Sequence, residues 1–578
     1  MSEKKWKFWP EALLLLVCAA WLLYGISQKE GYHMDELLSF ELANAKFNPW
    51  IVPTQPQGRL AKFVENEIDG ETLSETLGNL KDTVLDVAKN RGGSKLLTYR
   101  ADVYEEPVWI TGEQFWEYIT VGDRDAFNYL SVYFNVKDDN HPPLHFMMLH
   151  TVSSIFRGRL VPLMGCGINL ACVLGIMVFL MRLGQMGAYL LGQKENGRLA
   201  GFWAAALYGL SAAALSTTLL IRMYAMLSLF CVALLVIHME KLYGGRLRVW
   251  YPRLNEKGFG TNNKLLILVT VLGFWTQYFF LFYCLILAAV TVVWLWRMGR
   301  TKEVWRYVRS MILAAVIGVA GYPFAIGDVF SSGRGVEALS NLSSGFVGYG
   351  IRLKAFCGIA FRELGVGTVV ILGGICLVMG IWHIVKEKGI SARELVCVLT
   401  LPVVGYFLLA ARMSPYLVDR YIMPLFPLGI LLLVLPAVCF VKKPLLWSVV
   451  AVTVLLQPIQ TIRFENPYLY KGYKEQLQIA EKYSGYPCVC IGEGVGYYEN
   501  LLEFAAYERT LILTPQEFEQ APEAVKGLDE AVVLVKDGLD TEQIRERMEQ
   551  VYHMSLTRVL MPEGGVYGDE ILLFGAME

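Results

Sequence analysis

Residues Asp139 to Phe156 read DNHPPLHFMMLHTVSSIF, and the reading of that stretch decides the fold. From Leu144 to Phe156 it is apolar but only 13 residues long, short of the roughly 17 that a helix needs to cross a bilayer. Longer apolar runs lie on both sides. One covers Glu11 to Ser27; the others fall near 160–181, 199–219, 223–240, 265–277, 279–296, 310–327, 366–385, 395–411, 421–441 and 445–463. If the short stretch lies along the interface, eleven spans remain. The inner connections then hold Arg182/Lys194/Arg198, Lys241/Arg246/Arg248/Arg253/Lys257, Arg297/Arg300/Lys302/Arg306/Arg309, Lys386/Lys388/Arg393 and Lys442/Lys443. If it spans, all of these loops move outside. The positive-inside rule selects the first arrangement: N-terminus inside, C-terminus outside, and an interfacial or re-entrant helix after His141.

Composition agrees. The chain has 578 residues, 54% of them hydrophobic and 18% charged, against about 25% charged in an ordinary soluble domain. Its mean hydropathy is +0.40. Disordered, collagen-like and disulfide-scaffold classes are excluded. A formal charge of −1 gives no general affinity for nucleic acid. Eleven cysteines, most of them within apolar runs, read as small buried hydrophobes. The first run follows Lys4, Lys5 and Lys7, and Gln28-Lys29-Glu30 follows it with no small-x-small site, so it reads as an uncleaved span.

The expected fold is therefore mainly α: a polytopic helical membrane domain over residues 1–463 and a small C-terminal α/β domain over 464–578. Three portions face outward, a large first loop (28–159), a second near 330–365, and the tail. In the first loop, Thr72 and Glu75 form a capping box, followed by Leu73, Leu77, Leu80, Val84 and Val87 at helical spacing up to Gly92-Gly93. This predicts an amphipathic helix packed on the loop or the membrane face. In the tail, Cys488–Ile491, Leu511–Leu513, Ala531–Val535 and Glu570–Phe574 read as strands, with helices near 497–507 and 541–552 between them. Gly492-Glu493-Gly494-Val495-Gly496 lacks the dinucleotide spacing, and no inverted repeat is visible.

Five polar clusters fall on the outer side. Asp35-Glu36 follows the first span. A carboxylate there can take the proton of a hydroxyl nucleophile and its neighbour can hold a cation or an arginine, unless both are simply solvated. In Asp139-Asn140-His141-Pro142-Pro143-Leu144, two prolines set an extended entry to the short helix. The histidine then stands at a helix start suited to a phosphate; the alternative is a plain stop-and-start signal. Arg222-Met223-Tyr224 puts an arginine in a strongly apolar stretch, where it must snorkel or find a phosphate or an acid such as Glu36. Thr276-Gln277-Tyr278 occupies a tight turn between spans. Arg412, Tyr416, Asp419, Arg420 and Tyr421 fill another short outer loop, where two arginines break the inside-positive trend and suit a phosphate headgroup.

The order of these motifs resembles the GT-C class of membrane glycosyltransferases, in the family 39 branch that includes protein O-mannosyltransferases and the lipid A aminoarabinose transferase. That family has an Asp-Glu pair after its first span, matched by Asp35-Glu36, and an Asp-x-His-Pro-Pro-Leu motif, matched by Asp139 and His141 to Leu144. Its bacterial Ala-Arg-Met-Tyr-Ala-Leu segment is similar to Ile221-Arg222-Met223-Tyr224-Ala225-Met226. Its Arg-Tyr-x-x-Pro segment is similar to Arg420-Tyr421-Ile422-Met423-Pro424. Where the family often shows Thr-His-Tyr, this chain has Gln277 in place of the imidazole. The resemblance covers about Trp6 to Ile462, and the tail matches nothing in the family.

The resemblance implies transfer of a sugar from a polyprenyl-phosphate donor to an acceptor hydroxyl outside a plasma (inner bacterial) membrane, with inversion. Asp35 and Glu36 would be catalytic. Asp139, His141, Arg222, Tyr224, Gln277, Tyr278, Arg412, Arg420 and Tyr421 would meet the donor phosphate or substrate. No metal is required, although a divalent cation at Asp35/Glu36 stays open. The acceptor is a lipid, a glycan or a protein. The rival class, a lipid or solute transporter or flippase, predicts repeated halves and ionisable residues near mid-membrane, whereas the charges here gather at one face.

Overall fold

The computed structural model describes residues 9–100, 103–247, 263–330, 333–343, 347–377, 390–520, 522–562 and 566–577. The topology cations Lys4, Lys5, Lys7, Arg248, Arg253, Lys257, Lys386 and Lys388, and residues 378–385 of one expected span, lie outside the described residues. The chain divides into two compact units. One comprises residues 1–28, 138–145 and 165–467, the other residues 29–137, 146–164 and 468–578.

The first unit is a bundle of apolar helices. Among the described residues of the chain, seven helices are long and apolar enough to cross a bilayer: Trp9–Ser27, Pro162–Leu190, Tyr224–Gly244, Phe280–Arg297, Thr301–Gly321, Glu394–Met413 and Lys443–Arg463. Two bent pairs add to these. Lys194–Gly209 and Ala212–Leu219 meet at 57°, and Tyr349–Leu364 and Val366–Ile375 at 103°. Asn263–Phe274 and Leu425–Cys439 are shorter apolar helices. The helices Pro162–Leu190 and Gly197–Gly209 touch backbone to backbone, since a Cβ on Gly201 would lie 2.2 Å from the Met181 carbonyl oxygen. Small residues at such crossings let helices approach closely where lipid supplies no hydrophobic drive. At the ends of the bundle, Arg198 holds Glu11 in a two-pronged ion pair at 2.5 and 2.7 Å.

The second unit is built on one six-stranded sheet: β1 Ile110–Thr111, β2 Pro487–Ile491, β3 Arg509–Leu513, β4 Glu530–Val535, β5 Met554–Met561 and β6 Glu570–Ala576. The order is β1-β3-β2-β4-β6-β5, with β3, β2 and β4 parallel and the other pairings antiparallel. Val489, Ile491, Leu511, Leu513, Val533 and Val535 alternate onto one face and pack with Phe518, Ile544 and Met548. Cys488 and Cys490 point the other way and are also buried and free. Central strands buried on both faces read as continuous apolar runs, which is why the sequence announces them.

The sheet takes a strand, β1, from the large loop after the first span, so residues 29–137 and the tail share one core. Half of the expected capping box forms: Thr72 caps Leu73–Asn90 by accepting from the Glu75 amide at 3.3 Å, but the Glu75 carboxylate takes the Glu71 amide at 3.0 Å in place of that of Thr72. Only part of that helix's apolar face is covered. Leu80 packs on the small cluster of Phe47, Phe63, Val64 and Ile68, while Leu73, Leu77 and Val84 remain exposed.

Candidate active site

In the second unit, the segment after the first helix turns into a helix over Met34–Asn44, with His33 as its N-cap. The His33 Nδ1 accepts the Asp35 amide at 3.0 Å, and Glu36 accepts the His33 amide at 2.7 Å. This reciprocal capping box satisfies two of the donors that a helix start leaves open. Both acids occupy the first turn, where anionic side chains favour the helix.

The two acids differ in what they meet. Glu36 is fully buried and faces the Lys29 Nζ at 3.0 and 3.2 Å, while Lys29 also donates to the Tyr468 carbonyl at 2.7 Å. The Lys29 ammonium stands over the Tyr32 and Tyr470 rings, 5.6 and 5.0 Å from their centroids. Asp35 keeps a side chain 19% exposed, with one oxygen 3.5 Å from His33 Nδ1. Asp35 is thus the more exposed of the two acids, and Glu36 is engaged in holding the turn. At this pair the charge facing Glu36 is the buried Lys29 ammonium. Among the described residues, no group of three or more His, Cys, Asp or Glu is placed to hold a metal ion.

In the first unit, Asp139, His141 and Arg222 come together. Asp139 is buried, and its Oδ2 lies 2.9 Å from His141 Nδ1. Burial works to raise the Asp139 pKa, but the charge and hydrogen bond of His141 and the charge of Arg222 outweigh it and hold the carboxyl below its usual range. Arg222 is 4% exposed, in the break between Ala212–Leu219 and the helix that begins at Tyr224. Gly165 makes room for this break, since a Cβ there would meet Ile221 at 2.1 Å. The helix Leu144–Ile155 starts after Pro142-Pro143, as expected. Its first amide already donates to the Trp275 carbonyl at 3.0 Å. That bond ties the helix to the turn holding Gln277, which is 6% exposed.

Around this centre, the Tyr278 hydroxyl donates to Asp328 at 2.5 Å, and Asp139 adds to the burial and Asp328 effects that raise the phenol. Tyr224, Phe279 and Tyr421 form an aromatic cluster, with Tyr421 6.3 Å from Tyr224 and 5.5 Å from Phe279. Arg420 stands over the Tyr421 ring at 5.6 Å. Arg412 has other neighbours: it stacks on Tyr349 at 5.4 Å and reaches the Leu342 carbonyl.

Among the solved structures that resemble this chain are two of one protein. Both are ArnT from Cupriavidus metallidurans. The apo form aligns with a TM-score of 0.47 at 12% identity, over 75% of this chain and 87% of that one. The form bound to undecaprenyl phosphate aligns at 0.46 and 11%, over 75% and 88%. No family model and no curated protein matches the chain.

Four polar residues at these clusters escaped the sequence reading. His145 is fully buried beside the Asp139–His141–Arg222 group. Burial, then the charges of Arg222 and His141, push its imidazole down to about 3, so it stays neutral. Asp328 holds Tyr278, Lys29 holds Glu36, and Glu363 takes the Ser216 hydroxyl at 3.0 Å. His145 stands next to a recognised motif, which was a signal; the other three carry none.

Proposed function

We propose that the protein is a membrane glycosyltransferase moving a sugar from a polyprenyl-phosphate donor to an acceptor hydroxyl at the outer membrane face. The observation that carries this reading is the group of buried Asp139, buried Arg222 and partly exposed His141 at the start of a short helix. A buried guanidinium and an imidazole locked by a carboxylate suit a phosphate whose charge grows during reaction. Asp139 lies close enough to both cations for their charge to hold its carboxyl below the usual range, so the group is already arranged around an anion.

In this reading the acceptor oxygen attacks the anomeric carbon as the bond to the phosphate oxygen breaks. One new C–O bond forms, one breaks, and the single displacement inverts the centre. The acceptor proton passes to the Asp35 carboxylate. The polyprenyl phosphate leaves with the bonding electron pair and changes from a singly charged diester to a more highly charged monoester. His141, Arg222 and Arg420 offset that charge. Tyr224, Phe279 and Tyr421 offer aromatic surface to the sugar or the first isoprene units, and Gln277 offers neutral hydrogen bonding where an imidazole stands in related sequences.

Mass spectrometry of envelope glycans and lipids from a deletion strain, beside the complemented strain, tests this. A sugar-sized mass increment should vanish on deletion and return on complementation. Unchanged glycans in both strains, with altered export of a lipid or solute, would replace the reading with the transporter class.

A further inference from the structure

In open α/β sheets, ligands bind beyond the carboxyl ends of the parallel strands, where neighbouring strands send their connections in opposite directions. In the tail that place lies between β2 and β4: β2 continues to β3 on one side, while β4 leads to β5 and β6 on the other. The chain's own residues fill it. Lys536, just after β4, gives its Nζ to Asp569, Glu499 and Asn500, each at 2.9 Å. The Lys536 ammonium is thus taken up by the chain's own side chains. In the loop after β2, Tyr497 donates to the Ile51 carbonyl at 2.7 Å and Tyr498 accepts the Ile51 amide at 3.0 Å. Tyr567, which leads into β6, donates to the Tyr32 carbonyl.

From this end of the sheet a buried polar network leads to Gly31, at the start of the turn that carries Asp35. Asn500 bridges Asp569 at 2.9 Å and Glu503 at 3.2 Å, and Glu503 accepts the Tyr473 hydroxyl at 2.5 Å. The Tyr473 ring packs on Gly31, where a Cβ would lie 2.6 Å from the ring. The segment between the first span and Asp35 is stitched to the tail at further points. Lys29 donates to the Tyr468 carbonyl at 2.7 Å, Glu30 gives its amide to the Leu469 carbonyl at 2.8 Å, and Gly472 gives its amide to the Glu30 carboxylate at 2.7 Å. The Lys29–Glu36 pair, with both side chains 0% exposed, closes the turn on itself. A buried ion pair adds little stability over packed apolar residues, so its use here is better explained by the one geometry it enforces.

We propose that the C-terminal α/β domain is a positioning device for Asp35, acting through the Tyr567–Tyr32 hydrogen bond and the Lys29–Glu36 ion pair. This rests on the reading of Asp35 as the base. The side chains at the domain's strand ends are spent on contacts with the first loop and with one another. The domain fixes the Gly31–Glu36 turn so that the exposed carboxylate meets the acceptor hydroxyl, and Tyr567 and Lys29 are positioning residues.

The test uses full-length variants in isolated host membranes, scoring the glycan mass increment that deletion removes. Tyr567→Phe keeps the ring and loses only the hydroxyl; Lys29→Met loses the charge, and Lys29→Arg keeps it. The rate per folded protein should fall about tenfold or more in Tyr567→Phe and Lys29→Met and recover in Lys29→Arg, as expected for a displaced reacting group. Undecaprenyl phosphate, used as the binding probe, should bind all three as it binds the parent. In Lys29→Met, the acid limb of the pH profile should move to higher pH, because a cation no longer opposes negative charge at the turn. Parental rates in both Tyr567→Phe and Lys29→Met would overturn the proposal, as would probe binding that weakens in step with rate. Full activity in Asp35→Asn would instead overturn the catalytic reading on which it rests.

Discussion

Asp139 Oδ2 lies 2.9 Å from His141 Nδ1, and both Asp139 and the nearby Arg222 are buried. The carboxylate fixes the imidazole, and Asp139 takes up part of the cationic charge until a stronger anion arrives. Arg222→Lys should weaken undecaprenyl phosphate binding by about tenfold or more, since an ammonium lacks the guanidinium fork. His141→Gln should cost less, and both losses should exceed those at Arg412, whose neighbours differ. Equilibrium binding in detergent or nanodiscs measures this.

Tyr278 donates to Asp328 beside the same group. Tyr278→Phe leaves a buried carboxylate short of one hydrogen bond, at a cost of about 1–3 kcal/mol. Transfer should fall several-fold, with recovery in Tyr278→Phe/Asp328→Asn smaller than complete. A double-mutant cycle on transfer rate reads the coupling.

Glu503 gives the tail a pH dependence. Buried among Tyr473, Gln476, Asn500 and Asp569, its carboxyl is pushed up to about 7 from an ordinary 4.5, chiefly by burial. Between these values the folded domain holds a proton that the unfolded chain has released. Stability from this group is therefore full below about pH 4.5, declines as pH rises towards 7 and is level above; the span corresponds to roughly 3 kcal/mol. Hydrogen-exchange protection of β2 and β4, corrected for intrinsic rates, should show that decline, and Glu503→Gln should flatten it.

Gly201→Ala should destabilise the helical unit by roughly 1–3 kcal/mol, the range for overpacking, because its Cβ meets the Met181 backbone rather than a movable side chain. Gly78→Ala, with nothing within 4 Å of its added Cβ among the described residues, should instead stabilise its helix slightly. Thermal unfolding of the purified protein separates the two.

What the sequence disclosed follows from the range of the forces involved. The Thr72 cap and the long apolar helices are local, so most of their pattern is legible, but the expected span 199–219 breaks into two helices at 57° and the one starting at 366 begins as the second arm of a 103° bend. Strands β2, β3, β4 and β6 lie in or next to the buried centre of the sheet and carry continuous apolar runs. Strand β5 escaped, because it is an edge strand with Thr557, Arg558 and Val559 exposed. Strand β1 escaped too: two residues, Ile110 and Thr111, become a strand only by pairing with Thr510 and Arg509. At the candidate site, Asp139 and His141 were legible because proline and histidine spacing is local. Lys29, Asp328 and Glu363 were not, since each gains its meaning from a partner that folding brings to it. The different fates of Asp35 and Glu36, one partly exposed and one locked to Lys29, are likewise set by burial that no pair of adjacent acids reveals.

The most direct test of the central claim is transfer by Asp35→Asn, measured as the deletion-sensitive glycan mass increment at parental protein levels. Asparagine keeps the size and the helix start but cannot accept the proton. The account predicts no detectable product, together with unimpaired binding of undecaprenyl phosphate. Product formed at the parental rate would contradict it.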